Sequence, residues 1–390
     1  MTNLLPRRDT PLDDVLAQLS VAAQQPFETA NPIPPAVNHS EAFFEHERRQ
    51  VFMREWICTG RADELPGPGD YMTHQIADVP LLIVRQDDGA LRAFINACAH
   101  RFAQVVADGN GTARKFTCPY HAWTYAPDGR LVRAPYMEMK PDFDVKDHRL
   151  KQVPLEVWEG FIYVTVNPEP PLTVAERTKA LRDEVVGRYD MACYKTVIRE
   201  TMTWNANWKN LIENFTESYH VPIAHGQTFA QHNKPLDDYV CGDDYPYFGY
   251  HRAPQAAEDG LGAAHPGNDR LKDEWRRMMV DFCVFPCHLV TLMPDYVWWI
   301  SVQPEGISQM RATWGAAVPP EVLADIPDEG YDPWVEEFKT YLDVANDEDK
   351  GLVEALHRGS TSPILPEGTL HPIERNLWQF TKYLAATCAA

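Results

Sequence analysis

The most constraining feature of this sequence is a pair of short Cys/His motifs separated by seventeen residues. Cys98 and His100 form the first motif, and Cys118 and His121 form the second. Two thiolates and two imidazoles in matched pairs can hold one iron of a two-iron cluster through sulfur and the other through nitrogen, which raises the reduction potential. A single zinc ion accepts the same four ligands, so a Cys₂His₂ zinc site is the alternative. Such zinc sites usually pair Cys with Cys, which favours the two-iron cluster.

Length and charge limit the classes to which the chain can belong. Its 390 residues, of which 44% are hydrophobic and 24% charged, predict a globular protein of two or three domains. A net charge of −20 argues against nucleic acid or an anionic membrane as the main partner. The sequence contains no apolar run of about 20 residues, and residues 1–25 do not resemble a signal peptide. We therefore expect a cytoplasmic protein.

The other cysteines do not show the paired spacing of a disulfide framework, and we expect reduced, mostly packed thiols. They are Cys58, Cys193, Cys241, Cys283, Cys287 and Cys388. The Cys283-to-His288 spacing could suit a second metal ion. This stretch lies in an apolar segment, residues 282–293, so we interpret both of its cysteines as buried core positions.

Pattern changes along the chain divide it into three parts. Residues 1–40 are rich in proline and predict an N-terminal arm. Residues 41–170 predict a small β domain, in which a helix over 41–56 is followed by strands of period two. These predicted strands are 71–75, 81–85, 91–95, 153–158 and 161–166. A proline-rich linker at 167–171 precedes the second domain, residues 171–390.

A second chemical motif lies early in that domain. Glu213, Glu217 and His220 share a polar helical stripe, and His225 follows five residues after His220. On an unbroken helix these two histidines would point about 140° apart. Pro222 disfavours helix at the preceding residue and redirects the backbone. Both imidazoles can then face one ion, although two ordinary solvated histidines are the simpler alternative.

Two imidazoles and one carboxylate, with other positions open, form the facial triad of non-haem Fe(II) oxygenases. A helical pattern begins near residue 332, and four acidic residues lie toward its end: Asp343, Asp347, Glu348 and Asp349. Helical phase aligns Asp349 with three apolar residues, Leu352, Val353 and Leu356, and turns Asp347 outward. Asp349 is therefore the candidate third ligand.

The remaining pattern of the second domain predicts strands at 194–204, 297–302 and 310–318 and a helix over 173–186. Six aromatic residues are candidates for a pocket, although most are expected in the core: Tyr247, Phe248, Tyr250, Trp298, Trp299 and Trp314. The chain has no phosphate-cradling or dinucleotide-binding glycine motif. Nicotinamide or flavin chemistry would therefore reside on another protein.

Taken together, these motifs resemble the α subunit of a Rieske non-haem iron oxygenase. The resemblance extends from about residue 40 to the end. It rests on both Cys/His motifs and on stretches that follow in the family's order: Asn207-Trp208-Lys209, Glu213-Asn214-Phe215, Glu217-Ser218-Tyr219-His220 and His225. It implies an α+β fold, with a small all-β Rieske domain followed by a catalytic domain whose curved antiparallel sheet is flanked by helices.

The resemblance also implies roles for individual residues. Cys98, His100, Cys118 and His121 would bind a two-iron two-sulfur Rieske cluster. His220, His225 and Asp349 would bind the catalytic mononuclear Fe(II). Glu217 corresponds to the catalytic carboxylate that bridges to a neighbouring subunit's Rieske histidine. Many ring-hydroxylating members have Asp there, whereas members acting on carnitine and glycine betaine resemble this chain in having Glu. Phe102 is a departure, because a small residue usually follows the His-Arg pair.

The implied activity is an oxygenase that uses O₂ and electrons from a separate NAD(P)H-dependent reductase, directly or through a ferredoxin. A homotrimer and a small-molecule substrate are expected. We expect oxidative N-demethylation or hydroxylation of a quaternary or tertiary ammonium compound. Ring hydroxylation or O-demethylation of an aromatic acid is the alternative. A non-catalytic Rieske electron carrier is a further alternative, but it would need only about the first 170 residues.

Overall fold

The computed structural model describes residues 7–229, 239–240, 244–255 and 262–389. Its contacts divide the chain into two units. The smaller unit is Phe52–Val174, and the larger unit combines Met1–Val51 with Ala175–Ala390. Each unit has its own sheets and is described separately below.

The smaller unit contains eleven short strands in three antiparallel sheets. The strands are β1 (Ile57–Arg61), β2 (Asp70–Ile76), β3 (Val79–Arg85), β4 (Leu91–Ile95), β5 (Asn110–Thr112), β6 (Phe116–Thr117), β7 (Thr124–Tyr125), β8 (Leu131–Arg133), β9 (Gln152–Val153), β10 (Leu155–Trp158) and β11 (Phe161–Val164). The sheet orders are β1-β11-β10, β5-β2-β3-β4-β9 and β6-β7-β8. The predicted all-β character of this part of the chain is confirmed.

The strand pairing shows how local sequence shapes this unit. The predicted strands 81–85 and 91–95 are present as β3 and β4, which form a hairpin in which Arg85 pairs with Leu91. Gly89 lies in the turn at a φ of 81°, a left-handed conformation that suits glycine. The strand predicted over 153–158 is interrupted at Pro154, which has no backbone N–H to donate. Leu82, Phe94 and Trp123 are buried in the core beneath the Cys/His motifs.

The larger unit is organised around one seven-stranded antiparallel sheet. Its strands are β12 (Lys195–Trp204), β13 (Tyr239–Val240), β14 (Phe248–Pro254), β15 (Met278–Val284), β16 (His288–Leu292), β17 (Val297–Gly306) and β18 (Gln309–Val318). Strands β13 to β18 lie side by side in chain order, and β12 adds to the edge beside β18. Successive residues of β17, including Trp298 and Trp299, are buried, so side chains on both faces of this central strand are covered.

Helices flank this sheet, as predicted for the fold class. The α-helices among the described residues are α1 (Leu12–Gln24), α2 (Pro35–His39), α3 (Glu41–Glu47), α4 (Val174–Arg177), α5 (Lys179–Glu184), α6 (Trp208–Phe215), α7 (Val221–Ala224), α8 (Pro320–Ala324), α9 (Asp328–Ser360) and α10 (Arg375–Cys388). Helix α6 contacts β17, α9 contacts β12 and α10 contacts β14. Among the described residues, no helix is both long and apolar enough to cross a bilayer.

Two helical regions differ from the sequence expectation. The expected N-terminal arm contains α1, a helix of 13 residues that packs against α10. The single helix expected over 173–186 is instead α4 and α5, separated at Thr178. In both places, tertiary packing outweighs a weak local pattern.

The cysteines that the structure describes are free thiols, and all but Cys193 are buried. Cys283 lies in β15, and Cys287 lies just before β16. This agrees with their interpretation as core positions. Cys241 lies outside the described residues.

A buried ion pair explains why α3, the helix at the start of the predicted β domain, belongs to the larger unit. The sequence analysis placed residues 41–51 in the β domain, whereas the structure groups them with the later half of the chain. Lys209 Nζ donates to Glu47 Oε2 at 2.5 Å, and Trp208 Nε1 donates to Glu47 Oε1 at 2.6 Å. Neither charged side chain is exposed. The pair therefore ties α3 to the first turn of α6.

We expect Glu47→Leu to destabilise the larger unit by about 3–5 kcal/mol, because it leaves the buried Lys209 charge uncompensated. Urea unfolding followed by circular dichroism measures this loss. The matched control is Glu45→Leu, which removes an exposed carboxylate paired with Arg48 and should cost below about 1 kcal/mol.

The double variant Glu47→Leu/Lys209→Met adds a second comparison. It should be more stable than Glu47→Leu alone, since no uncompensated charge remains buried. Equal unfolding of Glu47→Leu and wild type would contradict the structural importance of the pair.

Candidate metal centres

The two Cys/His loops of the smaller unit share one backbone hydrogen-bond pattern. The Cys98 and Cys118 amides each donate to the carbonyl five residues later, at 2.8 Å in both loops. Each Cys carbonyl accepts the amide four residues later, from Phe102 at 2.9 Å and from Ala122 at 3.1 Å. Phe102 and Ala122 have left-handed φ angles of 64° and 56°. The Phe102 side chain is 80% exposed, so its bulk does not disturb the packing of the loop.

The four predicted cluster ligands come together at the ends of these loops. The side chains of Cys98 and Cys118 are buried, whereas His100 is half-buried and His121 is exposed. The two imidazole centroids lie 4.6 Å apart, and the Trp123 ring stacks on His100 at 4.9 Å. Sulfur donors therefore lie on the inner side of the site and nitrogen donors on the outer side.

Polar contacts around these donors fit an iron–sulfur cluster. His100 Nδ1 is buried and has no hydrogen-bond partner among the described residues, which leaves it available to a metal. The Tyr125 hydroxyl lies 3.1 Å from Cys98 Sγ and accepts the Ala99 amide at 2.9 Å, so its own proton can be donated to sulfur. Burial raises the pKa of the Cys98 thiol. Coordination is therefore what would keep this sulfur ionised at neutral pH.

The second candidate centre lies in the larger unit, where α7 and α9 meet. His220 immediately precedes α7, and His225 immediately follows it. Asp349 on α9 places Oδ1 3.4 Å from His220 Nε2 and 3.2 Å from His225 Nε2. The three candidate ligand atoms lie within 4.8 Å of one another, as binding to one ion requires. Among the described residues this is the one such group of His, Cys, Asp or Glu side chains.

The interruption of the helix that brings the two histidines together does not lie just before Pro222, where the sequence predicted it. Helix α6 starts at the Asn207 cap, whose side chain accepts the Lys209 amide at 3.2 Å, and it ends at Phe215. Pro222 lies in the first turn of α7, where its missing N–H is tolerated. The interruption is thus the turn after α6, and the two imidazole centroids lie 5.3 Å apart.

A carboxylate contacts the outer nitrogen of each imidazole. His220 Nδ1 lies 2.6 Å from Glu217 Oε1, and His225 Nδ1 lies 3.0 Å from Glu348 Oε2. An N–H at Nδ1 would donate to the carboxylate and leave the Nε2 lone pair directed at Asp349. Thr228 Oγ1 donates to Glu348 Oε2 at 2.6 Å and fixes that carboxylate in turn.

The structure also separates the four acidic residues considered for the third ligand position. Asp349 lies beside the two Nε2 atoms, and Asn214 Nδ2 donates to its Oδ1 at 3.2 Å. Asp343 accepts Lys339 Nζ at 2.6 Å, and Asp347 is exposed. Glu348 faces the opposite side of the His225 ring.

The electrostatics of this cluster favour a bound cation. Burial alone would lower the pKa of His220, but the Asp349 and Glu217 carboxylates outweigh it and raise that pKa to about 10. Burial would likewise raise the pKa of Asp349, but hydrogen bonds and charge from both histidines lower it to about 2. The carboxylates thus stabilise positive charge between the imidazoles, and a divalent metal ion would provide it.

Sequence reasoning missed the two side chains that orient these ligands. Glu348 was considered only as a ligand, and Asn214 only as part of a motif. The predicted apolar stripe of α9 was also wrong, because Leu352 and Leu356 are 45% and 48% exposed. The buried face is Leu342, Ala345, Asn346, Asp349, Val353 and His357. Spacing of i, i+3 and i+4 from Leu342 would have found it.

Most of the aromatic residues considered for a pocket are core residues, as the sequence analysis expected. Tyr250, Trp299 and Trp314 are buried, and Trp298 is buried between Phe215 and Phe229. Phe229 lies 5.3 Å from His225. Trp298 is therefore close to the histidine cluster, one ring away from a candidate ligand.

We expect Glu348→Gln to lower the Fe(II) affinity of the larger unit by about 10–100-fold, because the carboxylate that orients His225 loses its charge. Equilibrium dialysis followed by elemental analysis measures the affinity. Asp347→Asn is the matched control, since it changes the neighbouring exposed carboxylate and should leave affinity unchanged. Equal affinities in both variants would contradict an orienting role for Glu348.

Comparison with family models places both units. Residues 191–390 match the ring hydroxylating alpha subunit (catalytic domain), and residues 55–154 match the Rieske [2Fe-2S] domain. The chain is 37% identical over 193 residues to the glycine betaine monooxygenase oxygenase subunit of Chromohalobacter salexigens. It is 36% identical over 203 residues to the carnitine monooxygenase oxygenase subunit of Escherichia coli. Each alignment covers 50% of this chain, but only 43% and 54% of the respective relative.

Solved structures show the same fold over nearly the whole chain. A quaternary ammonium Rieske monooxygenase superposes with a TM-score of 0.78 at 22% identity, covering 99% of this chain and 100% of that one. Naphthalene 1,2-dioxygenase from Rhodococcus sp. superposes with a TM-score of 0.81 at 21% identity, covering 96% and 98%. The fold is thus shared by enzymes named for different substrates. The family-model matches, which include half of the chain for the catalytic domain, show that this chain belongs to the ring hydroxylating alpha subunits and carries a Rieske [2Fe-2S] domain.

Proposed function

We propose that this chain is the oxygenase component of an enzyme that hydroxylates the N-methyl group of a quaternary or tertiary ammonium compound. The single observation that carries the oxygenase assignment is the convergence of His220, His225 and Asp349. An electron carrier would need the smaller unit alone, and it would have no use for this second donor set. Two imidazoles and one carboxylate leave open positions on a bound iron, as oxygen chemistry requires.

The residues present fit both metal groups. Cys98, His100, Cys118 and His121 would hold a two-iron two-sulfur cluster, which supplies electrons one at a time. His220, His225 and Asp349 would hold Fe(II), which supplies O₂ activation. The protein's own contribution is to fix these donors. Glu217 and Glu348 hold the imidazoles by their outer nitrogens, and Asn214 holds Asp349.

The overall reaction would consume one O₂, two electrons and two protons. One oxygen atom enters a carbon–hydrogen bond of the N-methyl group, and the other leaves as water. The resulting carbinolamine loses formaldehyde and yields the demethylated amine. The electrons would come from a separate NAD(P)H-dependent reductase, directly or through a ferredoxin, which would place the reaction in the cytoplasm.

Two observations support an ammonium substrate over an aromatic one. The relatives at 36–37% identity are named for glycine betaine and carnitine. Glu217 stands where the resemblance associates Glu with such substrates.

We also propose that Glu217 lies on an electron route between subunits of a homotrimer, where its second oxygen would face a cluster histidine of a neighbouring copy. In the chain itself, that oxygen accepts the backbone amides of Tyr219 and His220.

We expect about three iron atoms per chain in the purified protein, two in the cluster and one at the histidines. His220→Ala should lose about one of them, keep the visible absorption of the cluster and release no formaldehyde. Elemental analysis, absorbance and a formaldehyde assay with the reductase measure these results. His46→Ala is a control, because this half-buried histidine contacts the Cys388 carbonyl and belongs to neither candidate metal centre.

The same assay tests the substrate. Glycine betaine, carnitine and choline should each be compared with aromatic acids under coupled consumption of NAD(P)H and O₂. Formaldehyde from a methylammonium compound supports the proposal. Coupled turnover of arenes without formaldehyde from any ammonium compound would contradict the substrate class and leave the oxygenase assignment intact. Full turnover by His220→Ala would contradict the oxygenase assignment.

We expect Glu217→Gln to slow reoxidation of the reduced cluster by O₂, because it removes the charge next to His220 while keeping an acceptor for Nδ1. Stopped-flow absorbance of variant protein reconstituted to wild-type iron content measures the rate. Glu348→Gln, reconstituted in the same way, is the matched control for loss of a carboxylate on an imidazole. Equal rates in these two variants would remove Glu217 from the electron route.

A further inference from the structure

A cavity of about 900 Å³ lies in the larger unit beside the first half of α9. Trp334, Phe338 and Tyr341 line it from that helix, and Tyr296 lines it from the turn between β16 and β17. The Phe338 ring centroid lies 5.2 Å from that of Tyr296 and 5.6 Å from that of Trp334. One wall of the cavity is therefore a continuous set of aromatic rings, whose faces attract cations.

The residues that line the cavity range from exposed to buried. Asp273 and Glu337 are exposed lining residues, whereas Tyr296 and Phe338 are buried. Asp295, in the turn between β16 and β17, contributes a carboxylate beside these buried rings. A ligand entering from solvent would thus meet carboxylates first and then a mixed acidic and aromatic inner end.

Asp295 has an unsatisfied oxygen at this inner end. The Gly262 amide donates to its Oδ2 at 3.0 Å. Its Oδ1 is buried and has no hydrogen-bond partner among the described residues, and the same holds for the buried Tyr296 hydroxyl. Burial raises the pKa of Asp295 to about 7. Buried polar atoms are rarely left unpaired, so this carboxylate indicates a ligand that supplies positive charge.

The basic residues of the cavity do not neutralise this charge, because they have other partners. Arg276 donates to backbone carbonyls, including those of Asn268 at 2.7 Å and Ala264 at 3.0 Å. His265 Nε2 lies 2.7 Å from Asp325, and Arg277 also has an interaction partner. The uncommitted charge of the lining is therefore negative.

We propose that this cavity is a recognition site that binds the ammonium group of the substrate before the reaction, with Asp295 as its counter-ion and the rings of Tyr296 and Phe338 as its walls. The inference rests on the proposed function and names residues that select its substrate. It also accounts for the combination of an aromatic wall with an unpaired carboxylate, since a quaternary ammonium group has no N–H to donate and is held by charge and π faces.

The cavity would serve substrate recognition and not catalysis, because it lies apart from His220, His225 and Asp349. The Tyr341 ring lies 5.8 Å from Phe229, and Phe229 lies 5.3 Å from His225. Along α9, the eight residues from Tyr341 to Asp349 span about 12 Å. The reacting N-methyl group must lie at the candidate metal ligands, so a substrate recognised at Asp295 would move past these rings before it reacts. Asp295 is therefore a specificity residue and not a catalytic one.

Calorimetric titration of the full chain tests the proposal with cations and their uncharged-head analogues. The pairs are choline with 3,3-dimethylbutan-1-ol and glycine betaine with 3,3-dimethylbutanoate, in which carbon replaces nitrogen at the same shape. Wild type should bind at least one cation about tenfold or more tightly than its analogue. Asp295→Asn should abolish that preference. Asp269→Asn is the matched control, since it removes an exposed carboxylate of the same charge that does not line the cavity and should retain the preference.

Kinetics supply an independent readout. With an ammonium compound that wild type demethylates, Asp295→Asn should raise KM about tenfold or more and leave kcat within about twofold. If Asp295→Asn does not fold, Phe338→Leu should weaken cation binding and leave binding of the analogues unchanged. Wild-type affinity for both cations in a folded Asp295→Asn variant would overturn the proposal, and so would the lack of any preference in wild type.

These outcomes are separable from a failure of the proposed function. Formaldehyde release by wild type tests the reaction, whereas calorimetry tests the site without turnover. Demethylation that persists with unchanged KM in Asp295→Asn would contradict the role of Asp295 alone. Cation binding that depends on Asp295, in a chain that releases no formaldehyde, would contradict the reaction alone.

Discussion

The hydrogen bond between each imidazole and a carboxylate is the interaction on which the candidate iron site depends. Neutral histidine presents one ring nitrogen as a donor and the other as an acceptor, and the partner of the first fixes the direction of the second. Glu217 and Glu348 occupy Nδ1 of His220 and His225, so both Nε2 atoms face Asp349. Without these carboxylates the rings could turn, and the three donors would no longer meet. The fold meets this requirement by holding α6, the turn after it and α9 close enough for their carboxylates and imidazoles to form hydrogen bonds.

The smaller unit solves a similar problem with backbone instead of carboxylates. Two loops of equal hydrogen-bond pattern place Cys98 and Cys118 on the inside and their histidines outside. Phe102 and Ala122, which have left-handed φ angles, reverse the direction of the backbone in each loop. Tyr125 then places its hydroxyl against a sulfur. A hydrogen bond to sulfur stabilises the more negative, reduced state, so this hydroxyl would raise the reduction potential of a cluster held by these residues.

Sequence reasoning selected residues that the structure brings together where the spacing is short, and it missed pairs that depend on distant contacts. The Cys/His motifs and the two histidines stood out because metal ligands need certain residue types at short spacings, whereas Asp349 was selected by helical phase. The helical phase pointed to Asp349 for a partly wrong reason, since Leu352 and Leu356 face outward. The Glu47–Lys209 pair joins residues 162 positions apart, and nothing local in either segment announces it. The aromatic cavity could not be predicted, since its wall combines a turn of the sheet with one face of α9.

Helix α9 connects recognition with chemistry. Trp334, Glu337, Phe338 and Tyr341 repeat at intervals of three and four residues and place one face of the helix along the cavity. Asp349, two turns further on, reaches the histidines from the same continuous helix. A helix of 33 residues bends little over two turns, so a shift of the aromatic wall also shifts the carboxylate that would bind iron. The proposed recognition site and the candidate ligand Asp349 therefore share one continuous helix, and a change in the cavity wall that moved α9 would also move Asp349.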